Sequence, residues 1–229
     1  MSITDFSRPA PPPAAGSDTG GDTGSSTEMV AAAKRAARRA ALARRKAIAA
    51  GEFTRAREAL RDHALPLCRA LPERSTVAAY ASMGTEPPMD GVLCLLADAG
   101  ARILVPRLGP GAGDDPAWSE LHGLDALHDM PRSATGGLRP REPDTRVLGA
   151  QSLAEASLVF VPAFAIDRHG IRLGRGAGWY DRALAYASPS ARIIGVCWPW
   201  ELTDGPLPHA RHDVPVQGVL TPAGLRMVG

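Results

Sequence analysis

Apolar positions along the chain change period, and that change predicts its elements. From Met29 to Ala50 the sequence is Ala, Arg and Lys without Gly or Pro, which predicts a helix with Thr27 as N-cap, Glu28 in its first turn and Gly51 at its end. Apolar groups at Ala56, Leu60, Ala64, Leu67 and Leu71 predict a second helix over about 54–71, bent or restarted at Pro66. Beyond it, short apolar runs alternate with helical stretches. Strands are expected at Val77–Ser82, Arg102–Pro106, Leu158–Pro162, Arg192–Cys197 and Val216–Thr221, and helices at Met89–Ala99 and Trp179–Ala187. The run from Leu158 is apolar at nearly every position, the mark of a strand buried on both faces. Strand, helix and strand at these spacings predict an α/β domain, its sheet parallel or mixed with helices on both faces. The segment 118–130 has no clear period, and 109–116 reads as a Gly/Pro/Asp loop.

Composition sets the boundaries. Residues 1–27 hold four Pro, four Gly and nine Ser or Thr, too little apolar surface to offset the entropy of ordering them. A disordered tail over 1–27 and a single domain over 28–229 are expected. The chain has 26 basic and 24 acidic residues, so the molecule as a whole is no polyanion-binding surface and no nucleic-acid partner is expected. Lysine occurs only at Lys34 and Lys46. Cys68, Cys94 and Cys197 lie far apart without a Cys-x-x-Cys pair, which argues against a zinc ribbon or a disulfide scaffold. The longest apolar stretches are about half a membrane span, and no signal-like start is visible, so no membrane association and a cytoplasmic location are expected.

The chemistry concentrates in Val161–Arg182, where a buried strand runs into a Gly-rich loop that opens a helix. Backbone amides in such a loop can cradle phosphate, Arg172 and Arg175 add positive charge there, and Asp181 can hold a magnesium ion. The spacing matches neither a P-loop nor a dinucleotide fingerprint. Gly174-x-Gly176-x-Gly178 alone fits a surface turn equally well. Trp179, Tyr180, Asp181 and Arg182 immediately after it favour a site. Lys34 and Arg38, four apart, share a helix face and can reach phosphate oxygens together; a solvated basic face is the alternative, since 34–46 holds seven basic and no acidic residues.

Asp167, Gly170, Arg172, Leu173, Gly174, Gly176, Gly178, Tyr180 and Asp181 together resemble the signature of the 5-formyltetrahydrofolate cyclo-ligase (5,10-methenyltetrahydrofolate synthetase) family. The resemblance runs over about 30–222 and takes in Lys34 and Arg38, Glu86, Pro106-Arg107, Glu142-Pro143 and His212-Asp213. The departures are Ala163 for a usual Gly, Ala177 where relatives often have Gly or Lys, and Trp179 for a Tyr. The resemblance implies a three-layer α/β/α architecture with a mixed, mostly parallel, Rossmann-like sheet, of the kind shared with sugar-phosphate isomerases and acyl-CoA transferases. It implies a monomer that uses ATP and Mg2+ to convert 5-formyltetrahydrofolate to 5,10-methenyltetrahydrofolate, releasing ADP and phosphate. By role it places Lys34, Arg38, Arg172, Leu173, Gly174, Arg175, Gly176, Ala177, Gly178, Trp179 and Tyr180 around ATP. Ala81, Glu86, Trp179 and Tyr180 fall on the folate, Asp181 and Asp213 on magnesium, and Arg175 and Asp181 at the catalytic step. A sugar-phosphate isomerase or acyl-CoA transferase on a related sheet, and a nucleic-acid module built on the helix over 34–46, are the competing readings.

Overall fold

In the computed structural model of the chain, which describes residues 23–108, 115–133, 136–209 and 213–228, the alternating texture resolves into a mixed sheet between two helical layers. Helices α1 (Thr23–Arg45) and α2 (Ala50–Arg69) come first, followed by β1 (Thr76–Ala78), α3 (Asp90–Asp98), β2 (Arg102–Arg107) and β3 (Ala117–Leu121). Three two-residue strands come next, β4 (Leu127–His128), β5 (Glu142–Pro143) and β6 (Val147–Leu148). The second half holds β7 (Ala156–Pro162), β8 (Ala165–Asp167), β9 (Arg172–Leu173), α4 (Trp179–Leu184), β10 (Arg192–Val196), β11 (Leu202–Thr203), β12 (Gly218–Thr221) and β13 (Gly224–Met227).

The main sheet runs β13-β12-β10-β7-β1-β2-β3-β6. Neighbours from β12 through β2 pair parallel, while β13 at one edge and β3 and β6 at the other are antiparallel. Successive side chains of the central strands face opposite layers, as the period of a strand requires. Val77, Ile103, Phe160 and Ile194 pack with Leu60 and Leu67 of α2 and Leu93 and Leu96 of α3. Ala78, Leu104, Val159 and Ile193 pack with Ala183 and Leu184 of α4 and with Leu153 of a short 3-10 helix, Ala150–Glu155. Burying each large aliphatic or aromatic side chain in these layers contributes about 1.5–3 kcal/mol. The expected three-layer α/β/α class is the observed one.

Several boundaries move, each for a physical reason. Helix α1 begins at Thr23, ahead of the expected cap at Thr27, so the expected tail–domain boundary at 27/28 falls inside the helix; residues 1–22 lie outside the described residues. Its end comes at Arg45 rather than at Gly51, which sits in the first turn of α2. Propensity favoured a continuous helix there, but the Arg45 side chain is drawn into a buried ion pair, and tight bonds from Ala47 and Ile48 N–H to the carbonyls of Arg44 and Arg45 close the turn. Pro66 is accommodated in the last turn of α2, where little helix remains to be disrupted. The strand expected to reach Ser82 stops at Ala78, with the Ala79 amide still bonded to the Leu104 carbonyl of β2 at 2.8 Å before the chain leaves the sheet. Helix α4 ends at Leu184 and has six residues. The aperiodic 118–130 segment divides into β3, one 3-10 turn and β4.

Candidate active site

The carboxyl ends of β1, β2 and β7 open onto one cavity of about 450 Å3, walled by Ala81 and Glu86 after β1, Pro106 and Leu108 of β2 and beyond, and Ala163 and Phe164 after β7. This is the ligand side of a parallel sheet. Helix α1 crosses it with Lys34 and Arg38, and the Arg172–Asp181 segment covers it, contributing Arg172, Leu173, Gly174, Arg175, Gly176, Ala177, Gly178, Trp179, Tyr180 and Asp181. Asp213 completes the wall. All fifteen candidate residues therefore face one space, although they come from four separate parts of the sequence. His212, the neighbour of Asp213 in the motif, lies outside the described residues.

The segment expected to be a glycine-rich loop contains a small antiparallel ladder, with Ala165 opposite Leu173 and Ile166 opposite Arg172. Asp167 holds its far turn: Oδ1 accepts from the His169 and Ile171 amides at 2.9 and 3.0 Å, and Oδ2 from Leu207 at 2.8 Å. Its place in the signature is thus scaffolding. Beyond the ladder, Gly176 and Gly178 adopt φ of 97° and 67°, conformations costly for any residue with a Cβ. Ala177 between them is not among the positive-φ residues, so the departure from Gly carries no backbone strain. Because α4 spans only one and a half turns, its dipole is small. Loop amides and side chains, rather than a long helix, supply the positive field at this end.

Charge is arranged as opposed pairs. Arg172 Nη2 donates to Asp181 Oδ1 at 2.6 Å, and the Arg172 side chain is only 3% exposed. The sequence reading set Arg172 where phosphates would sit; its burial demands a partner, and Asp181 supplies it. Arg175 donates from Nε and Nη2 to Oε1 of buried Glu86 at 3.1 and 3.0 Å, while the Met83 amide donates to Oε2 at 3.0 Å. Lys34 Nζ lies 3.5 Å from Asp213 Oδ2, and Arg38 Nε donates to the Gly174 carbonyl at 2.7 Å. Trp179 is wedged edge-to-face between buried Trp118 at 5.1 Å and Tyr180 at 4.8 Å, which fixes its ring at the cavity wall.

Four cavity or near-cavity residues escaped the sequence reading. Arg45 forms part of the wall, its guanidinium bonded to both oxygens of Glu201 at 2.6 and 2.7 Å and to the Ala163 carbonyl at 2.6 Å. Burial pushes the Glu201 carboxyl up, and the Arg45 bonds oppose it. Phe164 stands between Arg45 and Arg175, whose guanidinium carbons lie 4.4 and 5.6 Å from its ring centre. Tyr80 lines the cavity beside Glu86. Arg45 was hidden among seven basic residues of one helix, and nothing local distinguishes the one that turns inward. Tyr80 fell inside the strand expected over Val77–Ser82 and carried no signal of its own.

Among the described residues no three acidic, His or Cys side chains form a metal cage. Magnesium carried on nucleotide phosphates needs only one or two protein carboxylates, and Asp181 and Asp213 both face the cavity. The donor set therefore fits a magnesium–nucleotide complex as substrate.

Residues 30–222 match the 5-formyltetrahydrofolate cyclo-ligase family. The 5-formyltetrahydrofolate cyclo-ligase of Mycolicibacterium smegmatis is 40% identical over 150 residues, covering 64% of this chain and 73% of that protein. The enzyme of the same name from Escherichia coli is 28% identical over 149 residues, covering 65% and 78%. Among solved structures, a 5,10-methenyltetrahydrofolate synthetase from Aquifex aeolicus superposes with a TM-score of 0.62 at 23% identity, over 85% of this chain and 92% of that one. One from Mycoplasma pneumoniae gives 0.61 at 17%, over 82% and 97%, so the likeness is one of fold.

Proposed function

The chain belongs to the 5-formyltetrahydrofolate cyclo-ligase family, and from that premise we propose that it closes 5-formyltetrahydrofolate to 5,10-methenyltetrahydrofolate at the expense of ATP, with magnesium carried on the nucleotide. One observation carries the reading. Lys34, Arg38, Glu86, Arg172–Asp181 and Asp213, scattered through the sequence, line one cavity at the carboxyl ends of parallel strands.

The chemistry assigned to the cavity is phosphoryl transfer followed by ring closure. The formyl oxygen attacks the γ-phosphorus, ADP leaves, and the carbon becomes an iminium phosphate. The N10 nitrogen then attacks that carbon, loses its proton, and phosphate departs with the formyl oxygen. Positioning and charge stabilisation dominate such a transfer. Lys34, Arg38 and Arg175 supply positive charge, the loop from Arg172 and Leu173 through Gly174, Gly176, Ala177 and Gly178 wraps the phosphates, and Asp181 and Asp213 take the magnesium. Magnesium, when bound, neutralises charge on the transferring group. Glu86 accepts hydrogen bonds from the N–H edge of the pterin, whose rings rest against Ala81, Trp179 and Tyr180. Arg175 pairs with Glu86, so folate taking up Glu86 would release this guanidinium toward the phosphates. The enzyme is proposed to act as a monomer in the cytoplasm. No helix among the described residues is long and apolar enough to cross a membrane.

Oxygen tracing tests the mechanism. With 18O in the formyl group, the label is expected in the released phosphate. Label retained in the folate or lost to water would exclude attack by the formyl oxygen.

A further inference from the structure

Two phenols in the cavity wall have nothing to bond. The hydroxyls of Tyr80 and Tyr180 are buried without a hydrogen-bond partner among the described residues, and both side chains line the same cavity. A buried tyrosine hydroxyl normally finds a partner, because leaving it unpaired costs the free energy of removing it from water. Each such exception needs an explanation. These two share an environment: burial and then the Glu86 carboxylate push both phenols up, so both keep their protons and remain donors. Tyr80 itself is 3% exposed and follows β1 on the approach to Glu86, which is 4% exposed.

An ionised Glu86 can only accept, and a protonated phenol beside it can donate. An acceptor and a donor set side by side complement a cyclic amide edge, an N–H next to a C=O. Of heterocycles that a cleft takes up, those with a lactam edge satisfy both groups at once; rings with an amino group in place of the carbonyl do not.

We infer that Tyr80 is a specificity-determining substrate contact that, together with Glu86, reads the lactam edge of the pterin, its hydroxyl donating to the ring carbonyl. The inference rests on the folate reading of the cavity. Tyr180 supplies the second free hydroxyl and the ring surface, while Tyr80 sets the preference for an oxo over an amino heterocycle. A buried hydroxyl with no partner inside the fold trades stability for binding.

Tyr80→Phe removes the hydroxyl and keeps the ring. Affinities for 5-formyltetrahydrofolate and for a 2,4-diamino pteridine analogue are measured by calorimetry on the wild-type and variant chains, with melting temperature and the affinity for a non-hydrolysable ATP analogue alongside. The expected result is about tenfold weaker binding of 5-formyltetrahydrofolate, a smaller change for the diamino analogue and none for the nucleotide, with a melting temperature equal to or above wild type. Unchanged folate binding, or a folate and analogue loss of the same size, would overturn the inference and leave the cyclo-ligase reading standing. A clear fall in melting temperature would also overturn it, since the hydroxyl would then be bonded within the fold. If wild type itself fails to bind 5-formyltetrahydrofolate, the functional reading fails, and the Tyr80 assignment with it.

Discussion

At the scale of single residues, the site is governed by which charges are paired before any ligand arrives. Glu86 is held by Arg175 and by the Met83 amide, so its carboxyl group is fixed in orientation. Glu86→Gln keeps the shape and removes the charge. Losing a charge-assisted hydrogen bond costs about 1.5–3 kcal/mol, so the KM for folate should rise at least tenfold in steady-state kinetics. The KM for ATP should not rise with it, because Arg175 is freed rather than lost. A rise confined to ATP would put Glu86 in the wrong half of the cavity. Asp181→Asn has two expected effects. It should lower kcat and raise the magnesium concentration needed for half-maximal rate. It should also destabilise the fold by about 1–3 kcal/mol, since the buried Arg172 loses its charged partner. Chemical denaturation and a magnesium titration separate the two. A normal titration on a destabilised protein would make Asp181 a structural partner of Arg172 and nothing more.

Elements are set in place by a few buried contacts that no local pattern announces. The turn between α1 and α2 is the clearest case. Helix propensity continues through it, and only the Arg45–Glu201 pair, with its bond to Ala163, explains why the chain turns at this point. Arg45→Met should cost about 3–5 kcal/mol in denaturant unfolding, because Glu201 is left charged and buried. The double variant with Glu201→Met should recover much of that loss. Equal losses in single and double variants would show that the pair is not what anchors α1. The Gly-rich element makes a finer prediction. Gly178→Ala forces a Cβ into a left-handed conformation at the start of α4 and should cost about 1–2 kcal/mol, whereas Ala177→Gly next to it should change stability by less than about 1 kcal/mol.

Across the whole molecule, what was legible in the sequence is what repeats. The two-faced apolar runs of β7 and β10 and the amphipathic period of α2 are many-residue signals, and they placed the sheet and its layers. The candidate site was legible because its glycines, arginines and acids occur as an ordered series with family spacing. Short strands such as β8, β9 and β11 were not, because two or three residues carry no period; they exist only through pairing with one another in a small separate sheet. The pairings Arg172–Asp181 and Arg175–Glu86 were equally invisible, since they join residues whose proximity depends on the finished fold. Cysteine reactivity reports on the same layers. Cys68 and Cys197 are buried, burial pushes the Cys68 thiol up to about 11, and Cys94 is exposed. A thiol reagent should therefore label one cysteine in the native protein and all three after unfolding.

We propose that the cavity takes ATP and 5-formyltetrahydrofolate together and couples them. The most direct test follows the absorbance of the methenyl product from the purified chain with magnesium, while ADP is counted. Methenyl formation is expected only when both ATP and 5-formyltetrahydrofolate are present, with one ADP for each ring closed. A folded chain that produces no methenyl signal, or releases ADP regardless of the folate, would contradict it.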